Sequence, residues 1–256
     1  MSVINVIFLR GLITTLFIFV YLKFYEKKNI IKTIKVKKYH YRGLYEVLTA
    51  ICFFTGLILL PVAEVYTLLM TNPFFVTIFA FIFLKEKVGI RRWAAVIIGF
   101  IGVLFVINPK NVDINYLYIF PIIAAVFLTL RDIATKDIAT KTNSFEIIFI
   151  TSFLITLFSG VISLFFEFTF KVEYLSSLII SSIFLTIAYV LSVLTIFYAP
   201  LSLTASSRYS VIVFGMIFGY FILGEIPSSN MILGAIIISL SGLFVINRQK
   251  KLGKID

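Results

Sequence analysis

Long runs of apolar residues, separated by short breaks that carry charges, proline or asparagine, follow one another along the whole chain. Each run has about the 20 residues that an α-helix needs to cross a hydrocarbon core of ~30 Å. Apolar and polar residues do not alternate within a run, which argues against a transmembrane β-barrel. The runs predict nine transmembrane helices, over residues 3–22, 43–60, 62–84, 91–108, 116–134, 145–168, 174–198, 202–224 and 229–247. The predicted fold class is an all-α integral membrane protein.

The composition excludes a water-soluble domain. Of the 256 residues, 61% are hydrophobic and the mean hydropathy is +1.08, whereas soluble domains are about 45–50% apolar. One cysteine, Cys52, and one histidine, His40, allow no internal disulfide and leave few groups for a metal site or an activated nucleophile. We therefore expect no catalytic residues, no metal and no cofactor, and we do not expect an enzyme.

The lysines and arginines are concentrated in segments on one predicted face of the membrane. Of 23 such residues, 19 lie in the connector from Lys23 to Arg42, in the segments 85–92 and 131–141, or in the tail 248–254. Loops rich in Lys and Arg stay in the cytoplasm, which predicts a cytoplasmic C-terminus and an N-terminus outside. We expect a multi-pass membrane protein. The formal net charge of +11 predicts contact with anionic membrane lipids and not with nucleic acid, since the basic residues are divided among short loops.

A sequence repeat relates the two halves of the chain. The residues LFVIN at 104–108 recur at 243–247, and the same spacing of 139 residues pairs Pro61 with Pro200. A match of this length across two helical hairpins indicates an internal duplication.

The charges indicate that the second copy is inverted. The positive residues of 85–92 have uncharged equivalents in that copy, as expected if it crosses the membrane in the opposite direction. We predict two inverted repeats, 1–110 with four helices and 111–256 with five, an arrangement common in secondary transporters. Because inverted repeats need an odd number of helices each, we expect that the first repeat lacks its first helix. Either the start of the sequence is assigned one helix too late, or the protein truly lacks that helix.

Four segments carry recognisable motifs: FLRGLITTLF at 8–17, FLKEKVGIRRWAAVIIGFIGVLFVINP at 83–109, LRDIATK at 130–136 and APLSLTASSRYSVIVFGMIFGYFILGEIP at 199–227. Together with a glutamate that ends the third and the eighth span, Glu86 and Glu225, they resemble the EamA family of the drug/metabolite transporter superfamily. The sequence Arg208-Tyr209-Ser210 is among the most specific parts of this likeness, which extends over almost the whole chain.

The resemblance implies a bundle of ten helices, made of two inverted five-helix repeats around a central cavity, that moves small metabolites without ATP. This chain departs from that pattern by its absent first helix. Members of the family are associated with amino-acid export and with uptake of riboflavin or S-adenosylmethionine. We predict a secondary transporter of a small polar metabolite, such as an amino acid or a nucleoside-like cofactor. The chain has no Walker motif, in agreement with this prediction.

Two other functional classes remain as alternatives at this stage. One is a membrane-embedded enzyme that acts on lipid, and the other is a channel. The motif Gly215-x-x-x-Gly219 in the eighth span predicts close helix packing and, as a weaker hypothesis, a homodimer.

Arg208 is the strongest candidate for substrate binding. An ionisable side chain within a span costs about 2.5–3.5 kcal/mol on insertion scales, so it needs a partner or water. We expect its guanidinium to bind a carboxylate or another anionic group of the substrate, with Tyr209 and Ser206 as polar neighbours on the same half-helix. The alternative is that Arg208 extends to the cytoplasmic headgroups.

Three further residues within spans are candidates for substrate binding. Arg10, near the outer end of the first span, contacts the substrate, extends to the headgroups or pairs with the absent first helix. Asn72 and the following Pro73 interrupt the third span with a kink. This kink either lines a cavity or serves helix packing. Tyr189 belongs to a polar stripe on the seventh span that faces either the cavity or another helix.

Two carboxylates are candidates for coupling transport to a proton or another cation. Glu64 begins the third span, where its alternative role is to cap the positive end of the helix. Asp132 ends the fifth span, where a salt bridge to Lys136, one turn further on, is the alternative. Adjacent residues of a helix point ~100° apart, so we do not expect Asp132 to pair with Arg131.

Overall fold

The computed structural model describes residues 3–60, 62–83, 85, 89–107, 116–139, 142–165, 172–211, 214, 217, 221 and 229–251. Every regular element within these residues is helical. The α-helices are α1 (Val3–Val20), α2 (Ile30–Ile34), α3 (Lys37–Leu59), α4 (Val62–Leu69), α5 (Asn72–Phe83), α6 (Ile90–Ile107), α7 (Ile119–Ile138), α8 (Ser144–Ser163), α9 (Leu175–Tyr198), α10 (Leu201–Ser207) and α11 (Ser229–Lys251). A π-helix, Tyr21–Tyr25, extends α1, and the short 3-10 helices Tyr116–Tyr118 and Val172–Tyr174 precede α7 and α9.

Five helical segments in the described part of the chain are long and apolar enough to cross a membrane. They are Ile4–Tyr25, Lys37–Leu59, Tyr116–Ile138, Ser144–Ser163 and Val172–Tyr198. Three shorter apolar helices, Asn72–Phe83, Trp93–Phe105 and Ile232–Phe244, lie within the third, fourth and ninth predicted spans. The structure supports a helical, multi-pass membrane protein, and the count of nine spans stays a prediction.

The connector predicted over Lys23–Arg42 is shorter than the charge pattern indicated. The first helix continues as a π-helix to Tyr25, and α3 begins at Lys37. Asn29 starts the short α2 between them, because its side chain accepts hydrogen bonds from two backbone N–H groups of the first turn. Arg42 is therefore a helical residue that is 1% exposed, and its assignment to a charged loop was wrong.

The chain divides into two compact units, which we describe separately. Unit 1 comprises Met1–Leu48 and Ala134–Tyr198, and unit 2 comprises Thr49–Ile133 and Ala199–Asp256. Helices α3 and α7 contribute residues to both units.

In unit 1, α1 packs against α8 and α9. Small residues let α1 and α8 approach closely, since a Cβ added at Gly160 would lie 2.8 Å from the ring of Phe8. The hydroxyls of Thr15 and Thr156 lie 3.2 Å apart in the same interface. Each hydroxyl also donates to a carbonyl oxygen one turn back in its own helix, Thr15 to Gly11 and Thr156 to Ser152, so both polar groups are satisfied within the interface.

Arg42 joins three helices of unit 1. Its guanidinium lies 3.6 Å from the carboxylate of Glu46, one turn further along α3. Its Nε donates a hydrogen bond of 3.2 Å to Thr135 on α7, and its Nη1 donates to Thr151 on α8. A guanidinium is costly to bury unless it is paired and hydrogen-bonded, so these contacts account for its place in the interior.

In unit 2, α6 packs against α11, and α5 packs against α10. The contacts of Gly102 with Gly234 and of Ala95 with Ser241 make α6 and α11 antiparallel. A Cβ added at Gly102 would lie 3.1 Å from the carbonyl oxygen of Gly234. Nearer the start of α6, the carbonyl oxygen of Ala95 accepts a hydrogen bond of 2.5 Å from the Ser241 hydroxyl. These small residues let the two backbones approach closely, as is common between membrane helices.

Candidate functional site

The third and the eighth predicted spans are both broken in the structure. In the third span, α4 ends at Leu69 and α5 begins at Asn72. In the eighth span, α10 ends at Ser207, and Arg208 lies in the turn that follows. The two breaks occupy equivalent positions of the sequence repeat to within one residue. Corresponding discontinuous helices are the usual place for a substrate site in transporters built from repeats.

The break in the third span has a local cause in the sequence. Pro73 has no backbone N–H to continue the ladder of hydrogen bonds, and it is tolerated here because it lies in the first turn of α5. At the end of α4, the carbonyl oxygen of Leu68 accepts two hydrogen bonds from Thr71, one of 2.6 Å from the hydroxyl and one of 3.1 Å from the backbone N–H.

Asp132, on α7, lies between two arginine side chains. Its Oδ2 is 2.5 Å from Nη2 of Arg208. Its Oδ1 accepts hydrogen bonds from Nε of Arg131 at 3.0 Å and from Nη2 of the same residue at 2.7 Å. The side chain of Asp132 is 1% exposed, whereas that of Arg208 is 21% exposed. The carboxylate is thus buried, and the Arg208 guanidinium retains accessible surface.

Asn72 fixes the orientation of Arg208 from the other broken helix. Its Oδ1 accepts a hydrogen bond of 3.1 Å from Nη1 of Arg208. Its Nδ2 donates to the Thr129 hydroxyl at 2.9 Å and to the carbonyl oxygen of Ala125 at 3.3 Å. We call Asn72, Arg131, Asp132 and Arg208 the Arg208 cluster, and all four belong to unit 2. The cluster connects both helix breaks to α7.

The expectation that Asp132 and Arg131 would not pair was wrong. Their Cβ atoms diverge on the helix, but the long arginine side chain turns back and reaches the adjacent carboxylate with two nitrogens. Burial favours this pairing, because a buried carboxylate without a cationic partner is strongly destabilising. Lys136, which the spacing offered as a partner for Asp132, donates a hydrogen bond of 2.8 Å to the carbonyl oxygen of Ile196 in α9. The free carbonyls near the end of a helix attract a cation.

Tyr209 follows Arg208 in the chain and packs into the interface of α6 and α11. It is 1% exposed, and its hydroxyl lies 3.4 Å from the carbonyl oxygen of Val96. A Cβ added at Gly99 would lie 2.6 Å from its ring, so the aromatic side chain occupies the space that this glycine provides. Its predicted contact with substrate stays a prediction.

The other candidates are placed as follows. Arg10 on α1 and Tyr189 on α9 belong to unit 1, where Tyr189 packs against the apolar core and the Nε atom of Arg10 has no hydrogen-bond partner. Glu64 lies in α4 and Ser206 in α10, and the side chains of both are outside the described residues, as are Glu86, Glu225, Gly215 and Gly219. The homodimer inferred from the two glycines stays a hypothesis.

Sequence reasoning missed Arg42, Thr129 and Arg131 as parts of buried polar networks. The spacing of Arg42 and Glu46 by four residues was a usable signal for a helical ion pair. Nothing in the sequence identified Thr129 as the partner of Asn72, because they are 57 residues apart. Among the described residues, no three His, Cys, Asp or Glu side chains are grouped so that they could hold a metal ion.

Several proteins of known name are similar to this chain. An S-adenosylmethionine uptake transporter of Rickettsia felis is 28% identical over 230 residues, which cover 89% of this chain and 78% of that protein. A riboflavin transporter of Vibrio cholerae is 33% identical over 104 residues, 41% of this chain and 35% of the transporter. The pseudopaline exporter CntI of Pseudomonas aeruginosa is 22% identical over 271 aligned residues. The alignment covers 96% of this chain and 87% of the exporter.

A comparison of folds gives a consistent result. The crystal structure of another protein matches with a TM-score of 0.81 and covers 96% of this chain and 89% of that chain, at 14% sequence identity. At that identity the likeness concerns the fold alone. The model of the EamA-like transporter family matches residues 1–108 and 115–248. Since these two stretches make up almost the whole sequence, the protein belongs to the EamA-like transporter family and is a transporter rather than an enzyme.

Proposed function

We propose that this protein is a secondary transporter in which Arg208 binds an anionic group, in the first place a carboxylate, of a small polar metabolite. The observation that carries the proposal is the contact of Arg208 with the buried carboxylate of Asp132 at a helix break. The guanidinium of Arg208 is therefore placed to bind a substrate carboxylate instead of Asp132. Its planar fork of N–H groups matches the two oxygens of a carboxylate.

Asp132 acts as an internal substitute for the substrate in this proposal. It uses Oδ2 for Arg208 and Oδ1 for Arg131. When a substrate carboxylate attracts Arg208, Asp132 keeps Arg131 as a partner, so the exchange leaves no buried carboxylate without a cation. Arg208 has accessible surface through which a substrate can approach, whereas Asp132 does not.

The same exchange offers a way to couple transport to protons. A proton on Asp132 neutralises its charge and weakens its hold on Arg208, which makes the guanidinium available to a substrate. Asp132 is therefore our first candidate for the coupling residue. Glu64, on the first helix of the broken third span, is the second candidate.

Two contacts in unit 2 support our prediction of two inverted repeats, 1–110 and 111–256, on which the predicted bundle of nine membrane-spanning helices rests. Under the repeat spacing of 139 residues, the pair Gly102 and Gly234 corresponds to Ser241 and Ala95. Both pairs are close contacts between α6 and α11. If a two-fold axis relates the repeats, each contact between α6 and α11 must occur twice, once for each repeat. The two pairs above meet this requirement.

The charge pattern and the family support a location in the bacterial inner membrane with a cytoplasmic C-terminus. The named relatives support a metabolite of the size of an amino acid or a nucleoside-like cofactor as substrate. One of them takes up S-adenosylmethionine, whose methionine part carries a carboxylate that Arg208 is suited to bind.

Uptake into proteoliposomes tests the proposal. Purified protein is reconstituted, and entry of radiolabelled S-adenosylmethionine, amino acids and riboflavin is measured with and without an imposed proton gradient. We expect uptake that requires the protein, prefers a carboxylate-bearing compound and responds to the gradient. Equal uptake into protein-free vesicles for every compound would contradict the proposal, and transport of riboflavin alone would exclude the carboxylate.

A further inference from the structure

A groove of about 390 Å³ is lined by residues of α6 and α11 in unit 2. Ala95 and Ser241 form its floor, and Ile98, Leu240 and Phe244 contribute to its walls. Arg91 lines the groove in the first turn of α6. The groove is therefore apolar apart from one cationic side chain. Its volume lies within the ~300–1,000 Å³ of ordinary ligand sites.

The floor of the groove is apolar because its polar group is already engaged. Ser241 donates its hydroxyl hydrogen to the carbonyl oxygen of Ala95 on the facing helix. Leu240 is 61% exposed, and Ile98 and Phe244 are each nearly half exposed, so the walls present hydrocarbon to the surroundings. In a bilayer, such a surface favours a lipid chain over water or a polar ligand.

The cationic end of the groove coincides with the basic end of both helices. Because α6 and α11 are antiparallel, the start of α6 lies beside the end of α11. The sequence places Arg91 and Arg92 at the start of α6, and Arg248, Lys250 and Lys251 at the end of α11. The first turn of a helix also favours an anion through its dipole. These features together favour a negatively charged headgroup at this end.

We propose that the α6–α11 groove is a binding site for an anionic phospholipid. One acyl chain lies along the apolar floor between Ile98 and Leu240, and the phosphate binds Arg91 beside the basic ends of the two helices. A basic site between membrane helices is a general form of anionic lipid recognition. The acyl chain of a zwitterionic lipid would fill the groove equally well, but its headgroup would be attracted less strongly to Arg91. The site does not depend on the substrate or the mechanism of transport.

Lipid binding to the full-length protein in detergent tests this proposal. Native mass spectrometry is used to titrate phosphatidylglycerol and phosphatidylcholine with the same acyl chains. We expect tighter binding of phosphatidylglycerol. One basic residue near the membrane surface contributes about 1 kcal/mol to the binding of an anionic lipid, so Arg91→Gln should weaken phosphatidylglycerol binding about fivefold. Binding of phosphatidylcholine should change little.

Two further variants separate a site from general attraction. Lys85→Gln removes the same charge from an exposed position outside the groove and should leave both affinities near those of the wild type. Ala94 is an exposed residue that lines the groove, so the large side chain in Ala94→Trp should fill the groove and weaken the binding of both lipids. Equal affinities for the two lipids, or an equal loss in Lys85→Gln and Arg91→Gln, would overturn the proposal. A protein dimer that Ala94→Trp dissociates would also overturn it, because the groove would then bind a second copy of the chain.

Discussion

Replacing Asp132 by asparagine removes the one negative charge of the Arg208 cluster while keeping the size of the side chain. The carboxylate is 1% exposed and contacts Arg131 and Arg208 at 2.7 and 2.5 Å. Asparagine retains an acceptor oxygen, but both guanidiniums lose this carboxylate. Removing one partner of a buried ion pair costs about 3–5 kcal/mol. We expect Asp132→Asn to lower the free energy of unfolding by that amount, measured by equilibrium unfolding in mixed detergent micelles with circular dichroism.

Asp137 on the same helix provides the matched control. It pairs with Lys38 at 2.8 Å, but both side chains are more than 60% exposed. A pair of this kind contributes about 0–1 kcal/mol, so Asp137→Asn should change the free energy of unfolding little. Arg208→Ala should cost about 1.5–3 kcal/mol, the value of hydrogen bonds to a charged group, because Asp132 keeps Arg131. The reasoning fails if Asp132→Asn is no more destabilising than Asp137→Asn, or if Arg208→Ala is the most destabilising of the three.

Two further predictions concern packing and topology. Gly99→Ala should destabilise the protein by about 1–3 kcal/mol, since the added methyl group would lie 2.6 Å from the buried ring of Tyr209. Gly89→Ala, where nothing lies within 4 Å, should change the free energy of unfolding by less than about 0.5 kcal/mol. For the topology, single cysteines are placed at Lys35 and at Lys254 in a background without the native cysteine. Both should react with an impermeant reagent from the same, cytoplasmic side. Labelling from opposite sides would refute the topology.

The helical membrane fold followed from the sequence, and the sequence also singled out Arg208, on which the candidate site centres. Continuous apolar runs require helices in a bilayer, because every backbone group must be bonded within the chain. The pair Asn72-Pro73 marked the break in the third span, since proline cannot donate the missing hydrogen bond. Arg208 was identifiable because a cation within a span needs a partner.

The partners of these residues were not predictable from the sequence. Periodicity gives the direction of a Cβ atom, and the Arg131 side chain is long enough to reverse that direction and reach Asp132. Arg42 was assigned to a loop because lysines precede it, and its burial depends on Thr135 and Thr151, about 100 residues away. The place of Tyr209 depends on Gly99, which makes room for its ring from another helix.

Uptake by the Arg208 variants is the most direct test of the central claim, that this transporter binds an anionic substrate group through Arg208. Wild type, Arg208→Lys and Arg208→Ala are reconstituted at equal amounts and assayed with whichever radiolabelled carboxylate compound the wild type takes up. Lysine keeps the charge but cannot hold a carboxylate with two parallel hydrogen bonds. Losing one such bond, about 1.5–3 kcal/mol, predicts roughly 10- to 150-fold weaker apparent affinity in Arg208→Lys. Arg208→Ala should show no uptake, and wild-type affinity in Arg208→Lys would contradict the account.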